Sequence, residues 1–273
     1  MLQRIIYGAL YAIGAILLFL FGTPEIVCAV VGIMVLGGLY EFFNAIGFLK
    51  NKKIPVIISA VFSPVMVIAV FLTGSWSGLW INAILWYYAA MMLLYMVIDF
   101  GNVSFTDISV AFLGTCYLTM FPVNICLLRL DEDYGKLYIW IPFIIAWLSD
   151  TFAYFAGRFF GKHKLIPHVS PKKTIEGSVG GILGAVLIMI VYMLICEKYF
   201  GLHPKYIKGI ISAATLSVFA QFGDLVASCI KREHGVKDFG SLVPGHGGIL
   251  DRFDSVIFIA PMVYIMVYCD LIF

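Results

Sequence analysis

The stretch KDFGSLVPGHGGILDRFD, residues 237–254, crowds lysine, histidine, arginine and three aspartates against an apolar run, SVIFIAPMVYIMVYCDLIF. Asp251 and Asp254 are three residues apart, which puts them on one face of any helix that begins here. Pro244, Gly245, Gly247 and Gly248 precede that helix in a loop whose backbone can approach a ligand closely. Amides at the helix N-terminus, aided by its dipole, would form an anion site. Two carboxylates beside bound phosphate would repel it unless a cation lay between them. Oxygen ligands and phosphate together predict magnesium rather than zinc. His246 has no second histidine or cysteine at ligand spacing, so it reads as a phosphate contact or a loop-shaping hydrogen bond.

Two more carboxylates fall inside apolar segments, Asp150 in IIAWLSDTFAYFAGRFFGK and Asp224 in SVFAQFGDLVASCIKRE. Centring a carboxylate in a bilayer costs about 3 kcal/mol on the insertion scale, so such a group faces a partner or a wet cavity. A structural ion pair with a nearby basic residue is the other reading of each. Between them, Arg158, Lys162, Lys164, Lys172 and Lys173 make a cationic loop opposed by Glu176. Its SPKKT segment resembles a phosphate-binding turn, with hydroxyls from Ser170 and Thr174 and point charges from Lys172 and Lys173. Positive charge retained at the cytoplasmic face and attracted to anionic lipid would give the same composition. Glu41 and Asp99, near the ends of apolar runs, read as boundary residues, with a functional role left open.

The elements that must hold these groups are transmembrane helices. Hydrophobic residues make up 62% of the 273 and charged ones 12%, and the mean hydropathy is +1.00, far outside the soluble globular range. The apolar runs are long and continuous, unlike the alternating segments of a membrane β-barrel. They predict an all-α, polytopic membrane protein of about nine helices, at 5–22, 26–48, 54–73, 78–99, 108–128, 137–157, 178–196, 208–228 and 253–273. We divide the chain into 1–105, 106–177 with the basic loop, and 178–273 with the acidic signature. With nine spans, one face collects most of the 18 basic residues and leaves the other only Arg129, Lys136, Lys198, Lys205 and Lys208. The first face is therefore cytoplasmic, with the N-terminus, and the C-terminus lies outside. LLFLFGTPE lacks a small-residue cleavage pattern, so the first run reads as a retained helix. Six cysteines in or beside the spans show no paired spacing and read as packing residues.

SCIKREHGVKDFGSLVPGHGGILDRFDS, residues 228–255, resembles the C-terminal signature of the phosphatidate cytidylyltransferases: S-x-x-K-R, then K-D, then H-G-G-x-x-D-R-x-D. DTFAYFAGRFFGKHKL and SPKKTIEG are similar to the same family's middle segment, so the likeness covers about the last 130 residues. The resemblance implies a bacterial-type, magnesium-dependent cell-membrane enzyme that joins CTP to phosphatidate, giving CDP-diacylglycerol and pyrophosphate for phospholipid biosynthesis. It also implies a homodimer with a polar cavity open to cytoplasm and lipid, and no nucleic-acid partner. By the same match Asp224 and Asp251 bind the catalytic cations, magnesium with potassium as a candidate second ion. They would meet at the inner leaflet, with Asp254 as a further ligand or as the residue that holds Arg252 or Lys231.

The lipid phosphate, whose second pKa is about 6 to 7 as in other phosphate monoesters, is already an anion and needs no strong base. Positioning and charge neutralisation then dominate. Lys172, Lys173, Lys231, Arg232 and Arg252 are the expected phosphate clamps, and Lys173, Arg232 and Arg252 join Asp224 and Asp251 as candidate catalytic groups. Ser170, Thr174 and the amides of Gly247 and Gly248 come second, and Asp150, Lys237 and Asp238 support them. A CTP-dependent polyprenol or dolichol kinase would release CDP instead. A secondary transporter would need inverted repeats, and none is seen.

Overall fold

A computed structural model describes residues 13–240 and 247–273. After a helix at 13–21 (α1), the chain forms α2 (Pro24–Ala45), α3 (Phe48–Asn51), α4 (Lys53–Thr73), α5 (Leu79–Ile98), α6 (Phe105–Met120), α7 (Val123–Leu130), α8 (Gly135–Tyr138) and α9 (Trp140–Phe160). A hairpin of β1 (Lys164–Ile166) and β2 (Ser170–Thr174) leads to α10 (Ile175–Phe200), α11 (Tyr206–Glu233) and α12 (Leu250–Tyr268). Among the described residues seven stretches are long and apolar enough to cross a bilayer, from Pro24–Ala45 to Tyr206–Glu233. The first of the nine expected spans lies partly outside the described residues. The ninth forms as α12 but is not one of the seven, because Asp251, Arg252 and Asp254 charge its first turn. The chain is a multi-pass, all-α membrane protein, with one small hairpin among the described residues.

Local chemistry sets the helix ends. Pro24 opens α2, where its missing N–H is no loss. Ser104 and Asp107 close a capping box on α6. Pro122 separates α6 from α7, interrupting what the sequence reads as one run. Gly74 and Gly201 take left-handed backbone just after α4 and α10, the conformation in which a helix most easily stops.

The described residues pack as two compact units, Met1–Glu132 with Val236–Arg252, and Asp133–Gly235 with Phe253–Phe273. This differs from the three-part division at 105 and 177, because α6 and α7 pack on α2 and α4 rather than on the helices after them. In the first unit a polar seam joins α4, α5 and α6: Thr115 donates to Ser59 at 2.8 Å, Ser59 meets Tyr88 at 3.1 Å, and Ser63 meets Thr119 at 2.7 Å. Such interhelical bonds are worth about 0.6 to 2 kcal/mol each in membranes, where apolar contact alone gives helices little preference for one another over lipid. Arg129, near the end of α7, is buried, and its Nη2 donates to the Gly22 carbonyl at 2.7 Å.

In the second unit α9 and α10 are the most closely packed pair. Gly177, Gly180, Gly181 and Gly184 form two overlapping G-x-x-x-G motifs on α10. A Cβ at Gly177, Gly180 or Gly184 would collide with α9, at Ala153, Ala156 or Phe152, and one at Gly181 would press tightly on Ser149. Gly223 of α11 likewise lies against Asp254 and Phe258 of α12.

Candidate active site

The acidic residues predicted from the second half of the chain fall in both units. In the second unit, Asp150 of α9, Asp224 of α11 and Asp254 of α12 lie within electrostatic reach of one another. Lys173 of β2 forms an ion pair with Asp224 and also faces Asp150, while Lys231 faces Asp254. Asp254 and Lys231 are buried, and Asp224 and Lys173 are partly open. Three carboxylates within electrostatic reach of one another favour positive charge among them, and the Lys173 ammonium is placed to supply part of it.

Helix α11 presents these groups on a continuous stripe. Ser217, Gln221, Asp224, Ser228 and Lys231 recur at alternating spacings of four and three, so they share one face. That face is turned inward: Ser217, Gln221, Ser228 and Lys231 are all buried. Ser217 meets Ser149 of α9 at 2.6 Å, and Gln221 Nε2 donates to the Ser178 carbonyl of α10 at 3.3 Å. Gln221, Ser217 and Ser149 did not enter the sequence reading, although the 4-3 spacing of polar residues through an apolar helix marks them.

The hairpin brings Lys173 to this cluster. SPKKT is therefore a strand rather than the expected turn, paired antiparallel with β1 so that Lys164 lies opposite Thr174. Thr174 is buried, and its Oγ1 accepts the Gly177 amide at 3.1 Å as the N-cap of α10. Its oxygen thus has a structural use as a helix cap, which leaves the hydroxyl proton free to be donated. Glu176 receives the Lys162 amide at 3.1 Å and meets His163 Nδ1 at 2.6 Å, fixing the strand's approach. Ser170 is half-buried, whereas Lys172, Arg232, Arg252, Lys237 and Asp238 are exposed.

In the first unit the amides around the start of α12 already have acceptors. Gly248 N donates to Asp251 Oδ2 at 2.9 Å, and the Phe239 amide reaches the same oxygen at 2.8 Å. Ile249 N and Leu250 N donate to Glu41 Oε1 and Oε2 at 3.0 and 2.9 Å. The open anion site expected at this helix start is instead satisfied by two carboxylates of the chain itself. His246 lies outside the described residues, and Gly247 takes a φ of +86°.

The donor chemistry fits a hard cation, because the converging groups are carboxylates. Among the described residues no three of His, Cys, Asp and Glu form a ready-made ligand set. Magnesium seldom needs one, being held typically by one or two carboxylates with substrate phosphates and water completing the shell.

Residues 2–270 match the family described as the cytidylyltransferase family. The chain belongs to the cytidylyltransferase family. Its relatives include a phosphatidate cytidylyltransferase of Staphylococcus saprophyticus, 38% identical over 232 residues, 84% of this chain and 84% of that one. The phosphatidate cytidylyltransferase of Bacillus subtilis is 40% identical over 167 residues, 61% of this chain and 59% of its own. One of Staphylococcus aureus is 35% identical over 243 residues, 86% of each chain. Family membership makes the chain an enzyme of nucleotidyl transfer, as the signature resemblance implies. It extends the likeness beyond the last 130 residues into the first half of the chain.

Proposed function

We propose that the chain transfers the CMP moiety of CTP to phosphatidate at the membrane surface. A phosphate oxygen of phosphatidate attacks the α-phosphorus of CTP, a P–O–P bond forms in CDP-diacylglycerol, and the bond to pyrophosphate breaks. The observation that carries this reading is that Asp150, Asp224 and Asp254 lie within electrostatic reach of one another, with Lys173 paired to Asp224 and Lys231 facing Asp254. Two anions must approach each other in the reaction, and a mixed cluster of carboxylates and ammonium groups suits that task. The names of the relatives supply the substrates.

Asp224, Asp251 and Asp254 are the residues that would hold magnesium, which when bound neutralises phosphate charge. Lys173 brings an ammonium to the carboxylate cluster, where incoming phosphate oxygens would find it. Lys172, Lys231, Arg232 and Arg252 supply further cationic side chains, and Ser170 a hydroxyl. With the nucleophile already ionised, no residue has to act as a strong base. The concentration of basic residues favours a cytoplasmic N-terminus and site and an outside C-terminus. Assembly as a homodimer follows the family resemblance.

The test is an assay of purified protein with labelled CTP and phosphatidate, with and without magnesium. Lipid-linked CMP and pyrophosphate are the expected products. A phosphorylated lipid with free CDP would replace this reading with that of a lipid kinase.

A further inference from the structure

Glu41 is 1% exposed and lies in the last two turns of α2, far in sequence from the residues discussed above. Its two carboxylate oxygens each take one amide at the start of α12, from Ile249 and Leu250. A Cβ at Gly240 or at Gly248 would collide with the same carboxyl group. Glu41 is therefore cradled by backbone from both sides of the segment 241–246. Asp251 spans the same two sides, accepting from Phe239 and Gly248 through a single oxygen, Oδ2. Both carboxylates close the same pair of ends, and both contacts require glycine or backbone at close range.

From this geometry we infer that Glu41 is a positioning residue for Asp251: it fixes the start of α12 and thereby the direction in which the Asp251 carboxylate points. Glu41 touches no substrate in this role. An acidic side chain is needed because two amides in neighbouring positions must each be given an acceptor, and a carboxylate offers two oxygens in a fixed fork. A glutamine keeps the shape but turns one acceptor into a donor that faces an N–H. The inference rests on the reading of Asp251 as a site residue, whereas the double capping can be measured without it.

The experiment combines amide hydrogen exchange with steady-state kinetics on the full-length protein in detergent. In the wild-type protein the Ile249 and Leu250 amides should exchange at least about tenfold more slowly than solvent-exposed amides in the same peptides. Free exchange at these two positions would overturn the inference at once, whatever the variants do. In Glu41→Gln, the two amides should lose protection while peptides from α4 and α10 keep theirs. Turnover should fall by about tenfold or more, in keeping with a small misplacement of a reacting group, and KM for CTP should change less than about threefold. Glu41→Asp, which keeps the charge and shortens the reach, should give the same pattern to a lesser degree. Lost protection with turnover within about twofold of wild type would overturn the positioning role, as would lost turnover with protection unchanged. If no CMP transfer is found in the wild-type protein, the exchange measurement still decides whether Glu41 holds these amides.

Discussion

Asp224 and Lys173 carry opposite charges at one contact, so their removal should have different signatures. Asp224→Asn keeps size and polarity but removes the charge a cation requires. It should abolish turnover while the protein remains folded and inserted, as judged by lipid-linked CMP formation and size-exclusion behaviour. Asp251→Asn should do the same, and wild-type turnover in either variant would remove that residue from the site. Lys173→Ala leaves the carboxylate cluster short of positive charge and withdraws a phosphate contact. It should lower turnover or raise the CTP requirement well beyond the effect of Lys172→Ala, since Lys172 is exposed. Equal, small effects of the two would return both lysines to the role of surface charges. The sequence makes Asp150 and Asp224 legible through the cost of burying a carboxylate, and Asp254 through its spacing from Asp251. It hides the pairing of Lys173 with Asp224, because 51 positions separate them. Glu41 is hidden for the same reason, since no local pattern tells which distant amides a carboxylate will meet.

The long helices are legible as elements because hydropathy over 20 residues reports what a bilayer demands. The hairpin is not. Strands Lys164–Ile166 and Ser170–Thr174 are three and five residues long and rich in lysine, which masks any alternation. Their stability comes from pairing and from the junction with α10. Thr174→Ala removes the N-cap of α10 and should cost about 1 kcal/mol, read as a lower thermal midpoint in detergent. It should also lower turnover, because the same residue ends the strand that carries Lys173. The glycine motifs on α10 can be read from sequence once helix packing in membranes is considered. Gly180→Val would force α10 away from Ala156 and should destabilise the second unit by about 1 to 3 kcal/mol or prevent its folding. An unchanged midpoint would mean that the two helices separate without cost.

At the scale of the whole molecule, the direction of insertion proposed from lysine and arginine placement can be checked with cysteines already present. Cys229 in α11 and Cys269 just beyond α12 are both exposed. In variants retaining one of the two as the only cysteine, a membrane-impermeant maleimide should label Cys269 in intact cells. Cys229 should be labelled only after the membrane is opened. The reverse result would invert the topology and move the basic hairpin to the outer face. The division at Glu132 could not be read from sequence, since all the helices are similarly apolar. Which of them pack together depends on small residues and scattered hydroxyls such as Ser59 and Thr115 rather than on hydropathy.

The ion pair between Lys173 and Asp224 bears on how this enzyme matures. A carboxylate that depended on a metal for its counter-charge would tie folding to metal supply, as in proteins that unravel when chelated. Here an ammonium of the same chain already accompanies Asp224. On the magnesium dependence proposed above, newly made protein would then reach its native state without the metal and wait there, inactive. Treatment with EDTA should accordingly silence catalysis while leaving the melting temperature nearly unchanged, and returning magnesium should restore full activity without a refolding step.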